Sequence, residues 1–571
     1  MKEQIEIQNR TAELADCADC WSFDRQYDCW CLEDVLYTQK AMVPKFQRLS
    51  IFVPKAYLRT DGTIDPAGTS HGYTAATVPV VFENNSAGYM QMPHTWLGGP
   101  RNYARQYLDA GFVYVSSGCR GRESRDENGE WAGKAPLTLV DLKTALRFLR
   151  HNRAVLPGNW DRVISVGWSA GGAMSALLGV TGDSAQFDGY LQENGAFMEE
   201  SDAVYAAQIY CPIIDLEHAD LAYEWMFGAD KTCETSPAGP AETMTPFKRA
   251  LSKALSTRYV GYFNSLSLRN PLTGEPLTLS PDGRGGTAYA YLMDRLNDSA
   301  TDFLQRLQAG TLPLQCAVPE YLAGEYTYQA PGELPPLPNG DPGLHHAGPG
   351  AVAPPLPGNL PMSLGDLMSR PPCGMPAIFE EPPMVTCAGS DKRGWLSWDG
   401  NRAALCSLDA YVREYRRRMK PCTAFDKLSM DSGENQEFGT GQNDYIHFST
   451  AVGEALREVE KDFPAETARY LPGYAAIQGD AALAQRVALL NPMGFIGRSG
   501  DCRQAAHYRI RVGAHDADTS LSVSMTLALR LANAGCGDVD YAIVWDQPHA
   551  EADYPGEVCD WIRKTCADDV T

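Results

Sequence analysis

Residues 161–172, DRVISVGWSAGG, constrain the fold more than any other part of the chain. The apolar, mostly β-branched residues 163–166 predict a buried strand, and the apolar stretch 173–180 predicts a helix. Small residues on both sides of Ser169 permit a tight turn between the two. A serine at such a turn stands above the sheet, where a nucleophile is needed, whereas a bare Gly-x-Ser-x-Gly match often occurs by chance. The interpretation of Ser169 as a nucleophile therefore depends on the strand and helix patterns that flank it.

The segments around this turn alternate between strand-like and helix-like patterns. We predict early strands at residues 48–58, 78–82, 112–117 and 208–215, with an amphipathic helix at 137–149. After a gap of more than two hundred residues, we predict a strand at 508–512, a helix at 521–534, a strand at 539–545 and a helix at 556–565. Such alternation is typical of an α/β fold with a mostly parallel sheet. We expect residues 1–215 and 493–571 to form this core.

The intervening residues 216–492 are predicted to form an inserted domain that covers the sheet as a lid. Within it, residues 331–376 hold 13 of the chain's 38 prolines, a density that excludes regular helix or sheet. We expect a long irregular loop there. His345 and His346 lie in this loop and are expected to be solvated rather than bound to a metal.

The chain is acidic, with a formal net charge of −22 at neutral pH. This charge argues against nucleic acid or an anionic membrane as the main partner, because both would be repelled. No apolar stretch is long enough to span a bilayer, and the first residues lack the apolar core of a signal peptide. We expect a cytoplasmic protein, or a secreted one if a signal peptide was removed before the numbering begins. The sequence does not indicate an oligomeric state.

Four of the sixteen cysteines cluster near the start of the chain, at Cys17, Cys20, Cys29 and Cys31. Their spacing matches no tetrahedral zinc site that we recognise, so buried thiols or disulfides are the simpler interpretation. We therefore predict no metal ion and no cofactor.

A serine nucleophile requires a histidine base and an acid that orients it. When the serine occupies a strand-to-helix turn of this kind, the chain order is serine, acid, histidine. Of ten histidines, only His549 follows the final predicted strand. Asp516 and Asp518 both follow the penultimate strand and both qualify as the acid, while Asp215 is a weaker alternative.

Two other interpretations of these residues are open. Asp518 or Thr519 could cap the helix that begins near Leu521, and His549 could be an ordinary surface histidine. If Ser169 is the nucleophile, the developing oxyanion would be held by the backbone N–H of Ala170 and by one from Ala87 or Gly88, in the loop after residues 78–82.

Several longer motifs resemble those of the bacterial tannases, the tannin acyl hydrolases. They are GWSAGG at 167–172, NNSAGYM at 84–90, RIRVGAHDADTS at 509–520 and VWDQPHAEADY at 544–554. The resemblance extends to residues 210–225 and 419–440, so it covers the core well and the insertion in part. It implies an α/β-hydrolase fold with a large inserted lid domain.

The resemblance also implies an activity, that of a serine esterase hydrolysing galloyl esters of tannins and simple gallates. Ser169 would be the nucleophile, Asp516 the acid and His549 the base. Asp518 would face the substrate. Lys420 and Glu434, fourteen residues apart, would hold the galloyl hydroxyls, although Lys427 and Glu437 lie close enough to leave the register open.

Two departures from the family are visible, a longer proline-rich insertion and a high cysteine count. Fungal tannases join cysteines that precede the catalytic serine and histidine, but Trp168 and Pro548 occupy those positions here. The alternatives in function are a feruloyl or other phenolic carboxylic esterase, and a non-catalytic binding protein on a hydrolase scaffold.

Overall fold

A computed structural model describes residues 14, 20–84, 86–99, 103–233, 242–312, 314, 316–324, 394–498 and 500–567. A nine-stranded sheet is the centre of this part of the chain. Its strands, in chain order, are β1 Ser22–Asp24, β2 Cys29–Leu36, β3 Arg48–Pro54, β4 Pro79–Asn84, β5 Val113–Ser117, β6 Asn159–Trp168, β7 Ala206–Tyr210, β8 His507–Gly513 and β9 Asp538–Val544.

The spatial order of the strands is β1-β2-β3-β5-β4-β6-β7-β8-β9. The six strands from β5 to β9 are parallel, whereas β1, β2 and β3 form an antiparallel edge. All six residues of β4 are buried, as expected for a parallel strand covered on both faces. The parallel strands all end at one edge, so the segments that follow β4, β6, β7, β8 and β9 meet there.

Helices pack on the sheet and recur through the described part of the insertion. In the described residues they are α1 Ala104–Asp109, α2 Leu137–His151, α3 Ala170–Val180, α4 Asp188–Glu193, α5 Leu216–Phe227, α6 Pro246–Ser265, α7 Thr287–Gln308, α8 Val318–Ala323, α9 Leu408–Tyr411, α10 Gly433–Glu437, α11 Thr450–Val459, α12 Pro464–Thr467, α13 Leu471–Ala476, α14 Ala481–Leu489, α15 Leu521–Asn533 and α16 Glu557–Ala567. A single π-helical turn, Val412–Arg416, continues α9.

The predicted core elements are present, with ends that shift by a few residues. The largest error concerns residues 208–215, because the strand ends at Tyr210. Pro212 has no N–H to donate to a neighbouring strand, and Cys211 and Asp215 adopt positive φ angles of 33° and 52°. The chain therefore leaves the sheet five residues earlier than predicted.

The described part of the predicted lid region contributes no strand to the nine-stranded sheet, and α5, α6 and α11 of this region pack on one another. Its division from the core as a separate domain remains a prediction. Residues 331–376, with His345 and His346, lie outside the described residues. Where the structure describes the chain, none of its helices has the length and hydropathy to cross a bilayer.

The N-terminal cysteine cluster is only partly described, because Cys17 lies outside the described residues. Cys29 and Cys31 are buried on β2, with their sulfur atoms 3.8 Å apart and not bonded as a disulfide.

Candidate active site

Ser169 lies in the sharp turn between β6 and α3. Its backbone angles, φ 60° and ψ −125°, are strained for a residue with a side chain. The turn is possible because residues 167, 171 and 172 are glycines, since a Cβ on Gly167 would lie 2.3 Å from the carbonyl oxygen of Gly171. A Cβ on Gly172 would lie 2.3 Å from the carbonyl oxygen of Tyr210. The glycines thus let α3 start directly against β6 and β7.

The structure brings Ser169, His549 and Asp516 into one hydrogen-bonded array. His549 Nε2 lies 2.9 Å from Ser169 Oγ, and His549 Nδ1 lies 2.9 Å from Asp516 Oδ2. The serine and histidine are 380 residues apart in sequence. They meet because the segments after β6, β8 and β9 converge at the same edge of the sheet.

The carboxylate of Asp516 is completely buried and held from several sides. Its Oδ1 accepts hydrogen bonds from the backbone N–H of Asp518 at 2.8 Å and of Thr519 at 3.3 Å. The guanidinium of Arg416 lies 3.9 Å from the same oxygen and donates to the carbonyl oxygen of Thr519 at 2.5 Å. Only Oδ2 is therefore directed at His549.

The other interpretations of these residues fit the geometry less well. The carboxylate of Asp215 accepts hydrogen bonds from the side chains of His218, Tyr262 and Asn491. It is therefore bound to these residues and not to His549. The cap of α15 is Ser520, whose side chain accepts from the backbone N–H of Ser522. The alternative prediction that Asp518 or Thr519 caps this helix is therefore wrong.

The electrostatic surroundings of His549 favour its protonated form. Burial lowers the pKa of His549, but the negative charges of Asp516, Cys211 and Asp518 together raise it well above the ordinary value. A raised pKa makes the neutral imidazole a stronger base toward the serine hydroxyl. The carboxylate of Asp516 would stabilise the imidazolium that results.

The loop after β4 supplies the second element of the predicted oxyanion hole. Ala87–Tyr89 form a single 3-10 turn that packs on α3, with Gly88 at φ 63°. Ala87 and Gly88 begin this turn, and Ala170 begins α3, so their N–H groups lie where a helical segment leaves its donors without internal acceptors. The side chain of Asn84 ties the loop to the serine turn by donating to the carbonyl oxygen of Val166 at 3.1 Å.

Arg122 was not anticipated, although it connects this loop to the insertion. Its Nε donates to the carbonyl oxygen of Gly88 at 2.9 Å, and its Nη1 donates to the side chain of Gln436 in α10. Its own backbone N–H donates to the carbonyl oxygen of Tyr89 at 2.8 Å. Arg122 follows β5 in the segment GCRGR, which ends at the same edge of the sheet, and that position was the available signal.

Lys420 and Asp518 lie side by side next to the array, with Lys420 Nζ 3.6 Å from Asp518 Oδ1. The hydroxyl of Tyr223 holds the two loops together, because it donates to the carbonyl oxygen of Ala517 and accepts from the N–H of Lys420, both at 3.0 Å. Burial raises the pKa of Asp518, but the charges of His549 and Lys420 outweigh it and hold this pKa below the ordinary value. Both side chains keep solvent-exposed surface, 24% for Lys420 and 46% for Asp518.

The two possible registers for the remaining lid residues differ in their surroundings. Lys427 forms a surface ion pair with Asp431 at 3.3 Å, whereas Lys420 reaches Asp518. Glu434 is half-buried in the first turn of α10, and after burial its charge is the largest contribution that raises the pKa of Tyr89. Glu437 is fully buried, and burial raises its pKa well above the ordinary value. The geometry favours Lys420 over Lys427, and of the two glutamates Glu434 is the more accessible to a substrate.

Cys211 is a second residue that the sequence interpretation passed over. It directly follows β7, and its buried thiol donates to the carbonyl oxygen of Ala550 at 3.3 Å. This places a sulfur beside His549. The segment QIYCPIID offers Asp215 as a candidate acid, but the first residue after a parallel strand is the one nearest the converging edge, and here that residue is Cys211.

Comparisons with known proteins agree with this architecture. A family model described as BD-FAE, an α/β-hydrolase esterase family, matches residues 82–235. No curated protein sequence gives a significant match. The fold and the array around Ser169 define an α/β-hydrolase, and the chain is a carboxylic ester hydrolase.

Within that class the chain is similar in structure to bacterial tannases. It is similar to the tannin acyl hydrolase from Lactobacillus plantarum, with 28% identity, a TM-score of 0.71, and coverage of 96% of this chain and 98% of that one. The tannase of Fusobacterium nucleatum gives 26% identity and a TM-score of 0.69, covering 94% and 95%. A tannin acyl hydrolase in complex with ethyl gallate gives 27% identity and a TM-score of 0.69, covering 94% of each chain.

Proposed function

We propose that this enzyme hydrolyses galloyl esters, releasing gallic acid, by an acyl-enzyme route that uses Ser169, His549 and Asp516. The observation that carries the proposal is the Lys420–Asp518 pair beside the hydrogen-bonded array. A general esterase needs only the array, whereas a fixed cation and anion next to it suit a substrate with adjacent hydroxyl groups.

In this mechanism Ser169 Oγ attacks the ester carbonyl while His549 Nε2 takes its proton. The imidazolium then returns the proton to the departing alcohol, and water repeats the sequence to release the acid. Asp516 Oδ2, the carboxylate oxygen that accepts from no backbone N–H, keeps Nδ1 of His549 protonated. The N–H groups of Ala170 and of Gly88 or Ala87 hold the oxyanion, and Arg122 fixes the turn that presents the second donor.

The galloyl ring presents three adjacent phenolic hydroxyls, which can both donate and accept hydrogen bonds. Asp518 accepts from one hydroxyl, and Lys420 donates to the oxygen of its neighbour. Glu434 accepts from a hydroxyl on the side of the ring near Tyr89. The insertion, which carries Lys420 and Glu434, acts in this proposal as a lid that closes over the ring.

The role of Ser169 and His549 is tested by alanine substitution. Ser169→Ala and His549→Ala should each lower the turnover of methyl gallate by three or more orders of magnitude, because nucleophile and base act as a unit. Ser169→Ala should also abolish covalent labelling by a fluorophosphonate. A variant of either residue that unfolds at the parent temperature and keeps near-normal turnover would contradict the assignment.

The galloyl contacts are tested with a matched pair of lysine variants. Lys420→Met should reduce kcat/KM for methyl gallate much more than for methyl benzoate, because only gallate carries the hydroxyls. Lys427→Met removes a surface lysine paired to Asp431 and should leave both substrates unaffected. Equal effects of the two variants would remove Lys420 from the site.

Two alternatives are distinguished by substrate. A feruloyl or other phenolic carboxylic esterase would cleave methyl ferulate in preference to methyl gallate. A binding protein without activity would resist the fluorophosphonate. We also propose a cytoplasmic location, because the unpaired buried thiols of Cys29 and Cys31 are what a reducing compartment maintains. Recovery of the activity with secreted marker enzymes on fractionation would contradict this.

A further inference from the structure

Three potential metal ligands of different chemistry meet in the active site. One ligand atom from each of Cys211, Asp516 and His549 lies within 4.8 Å of the others. A thiolate, an imidazole and a carboxylate form the mixed sulfur, nitrogen and oxygen set that Zn²⁺ and Cd²⁺ bind well. Ions such as Mg²⁺ and Ca²⁺ prefer oxygen ligands alone.

We propose that Cys211, Asp516 and His549 form an inhibitory site for thiophilic divalent cations. The cation displaces the proton of the Cys211 thiol, which leaves to solvent, and forms bonds to sulfur, to the imidazole and to the carboxylate. No redox change is needed, and a chelator reverses the reaction. The proposal goes beyond galloyl ester hydrolysis and requires only that His549 be the base for Ser169.

Inhibition follows from the nitrogen that binds the cation. Asp516 lies on the Nδ1 side of the imidazole, so a cation shared with this carboxylate binds Nδ1 and replaces the hydrogen bond to Asp516. The proton of the neutral imidazole is then on Nε2, which lies 2.9 Å from Ser169 Oγ and can no longer accept its proton. The serine therefore remains protonated and unreactive.

The backbone around Cys211 fixes the position of its thiol in the site. Cys211 directly follows β7 with φ 33°, and its N–H donates to the carbonyl oxygen of Arg511 in β8 at 2.7 Å. The thiol is fully buried, whereas 15% of the His549 side chain is exposed. The cation therefore enters from the substrate side, past Ser169 and His549.

The test uses Zn²⁺ and Cd²⁺ as probes in a non-chelating buffer. Activity toward methyl benzoate and fluorophosphonate labelling of Ser169 should both fall with cation concentration and both recover with EDTA. Methyl benzoate lacks phenolic hydroxyls, so an error in the galloyl assignment would leave this result unchanged. Mg²⁺ at the same concentration should have no effect.

Cys211→Ser removes the sulfur ligand, and Cys406→Ser removes an exposed thiol elsewhere as the matched control. Each variant is compared with its own metal-free rate. Loss of an outer-shell partner of a metal site already costs about 10- to 100-fold in affinity, so loss of the sulfur ligand should raise the inhibition constant by at least about tenfold. Cys406→Ser should be inhibited like the parent. Parent-like inhibition of Cys211→Ser would overturn the proposal.

A direct measurement covers the case in which Cys211→Ser does not fold. Co²⁺ added to the parent enzyme should produce a sulfur-to-metal charge-transfer band in the near ultraviolet that Zn²⁺ competes away. The band should be absent in Cys211→Ala and present in Cys406→Ser. Its absence from the parent, or its loss only in Cys406→Ser, would overturn the site.

Discussion

Asp516 and Asp518 are two residues apart, yet their substitution by asparagine should have different consequences. In Asp516, Oδ1 accepts from two backbone N–H groups and Oδ2 faces His549 Nδ1. An asparagine at 516 must keep its oxygen toward the N–H groups and so present its NH₂ group to His549. Nδ1 then becomes an acceptor, and the proton moves to Nε2.

This change of tautomer disables the base, because Nε2 can no longer take a proton from Ser169. In the serine-protease template, the corresponding substitution lowers kcat by about four orders of magnitude. Because Asp516 is completely buried, solvent cannot compensate for the change. Asp516→Asn should therefore lose about 10⁴-fold in kcat on every ester offered.

Asp518 is 46% exposed, and the 3.6 Å ion pair with Lys420 is open to solvent. The pair itself is therefore worth at most about 1 kcal/mol, or about fivefold. A hydrogen bond from a galloyl hydroxyl to the carboxylate is worth about 1.5–3 kcal/mol. Asp518→Asn should lose about 10- to 100-fold in kcat/KM on methyl gallate and no more than about fivefold on methyl benzoate.

The assay measures kcat and KM for both variants on methyl gallate and methyl benzoate, with thermal unfolding to verify the fold. If Asp518→Asn lost both substrates equally while Asp516→Asn discriminated between them, the two roles would be reversed. If Asp516→Asn kept more than a few per cent of the parent kcat, the tautomer argument would be refuted.

Four further predictions follow from the site and the serine turn. His549 must be neutral to act as a base and its pKa is raised, so kcat/KM should rise with pH through a value above about 6.5. Asp518→Asn removes one of the charges that raise this pKa, so a full pH–rate profile of the variant should show the same rise at lower pH. Because the pKa of His549 is higher in the folded state, its protonation stabilises the fold fully below the unfolded-state pKa, near 6.5. This stabilisation is lost as the pH rises through the folded-state pKa. Thermal unfolding of the parent and of His549→Ala across this pH range would detect it. Tyr223→Phe removes the hydroxyl that joins the Asp518 loop to the insertion, so it should raise KM for methyl gallate more than for methyl benzoate; an equal rise would contradict the linking role. Gly172→Ala places a Cβ 2.3 Å from a carbonyl oxygen and should lower the unfolding temperature and the activity, whereas Gly189→Ala, with no atom within 4 Å of its Cβ, should do neither.

The sequence was sufficient to predict the core because its signals are local. Buried parallel strands are short apolar runs, and the turn at Ser169 needs glycines at fixed positions, so both can be recognised without tertiary information. The parallel topology then requires the segments after β6, β8 and β9 to meet, which is why His549 could be selected from ten histidines and the acid could be narrowed to Asp516 or Asp518.

Other features were missed because they depend on contacts between distant segments. Arg416 reaches the loop of Asp516 from the insertion, and Arg122 reaches α10 across more than three hundred residues. No periodicity indicates such pairings. The early end of β7 was missed for a related reason, because an apolar run gives no sign of the positive φ at Cys211.

The position of the insertion between β7 and β8 has a consequence for synthesis on the ribosome. When β7 emerges, its later neighbour does not yet exist, since residues 211–506 separate the two strands. At about 5–20 residues per second, these 296 residues take roughly 15–60 s to translate. During that time β7 is an apolar, unpaired sheet edge of the kind that promotes aggregation. The nascent chain carries its nucleophile from early on but gains its base only with the last few dozen residues, so half-made chains are inert as catalysts while this edge is unpaired.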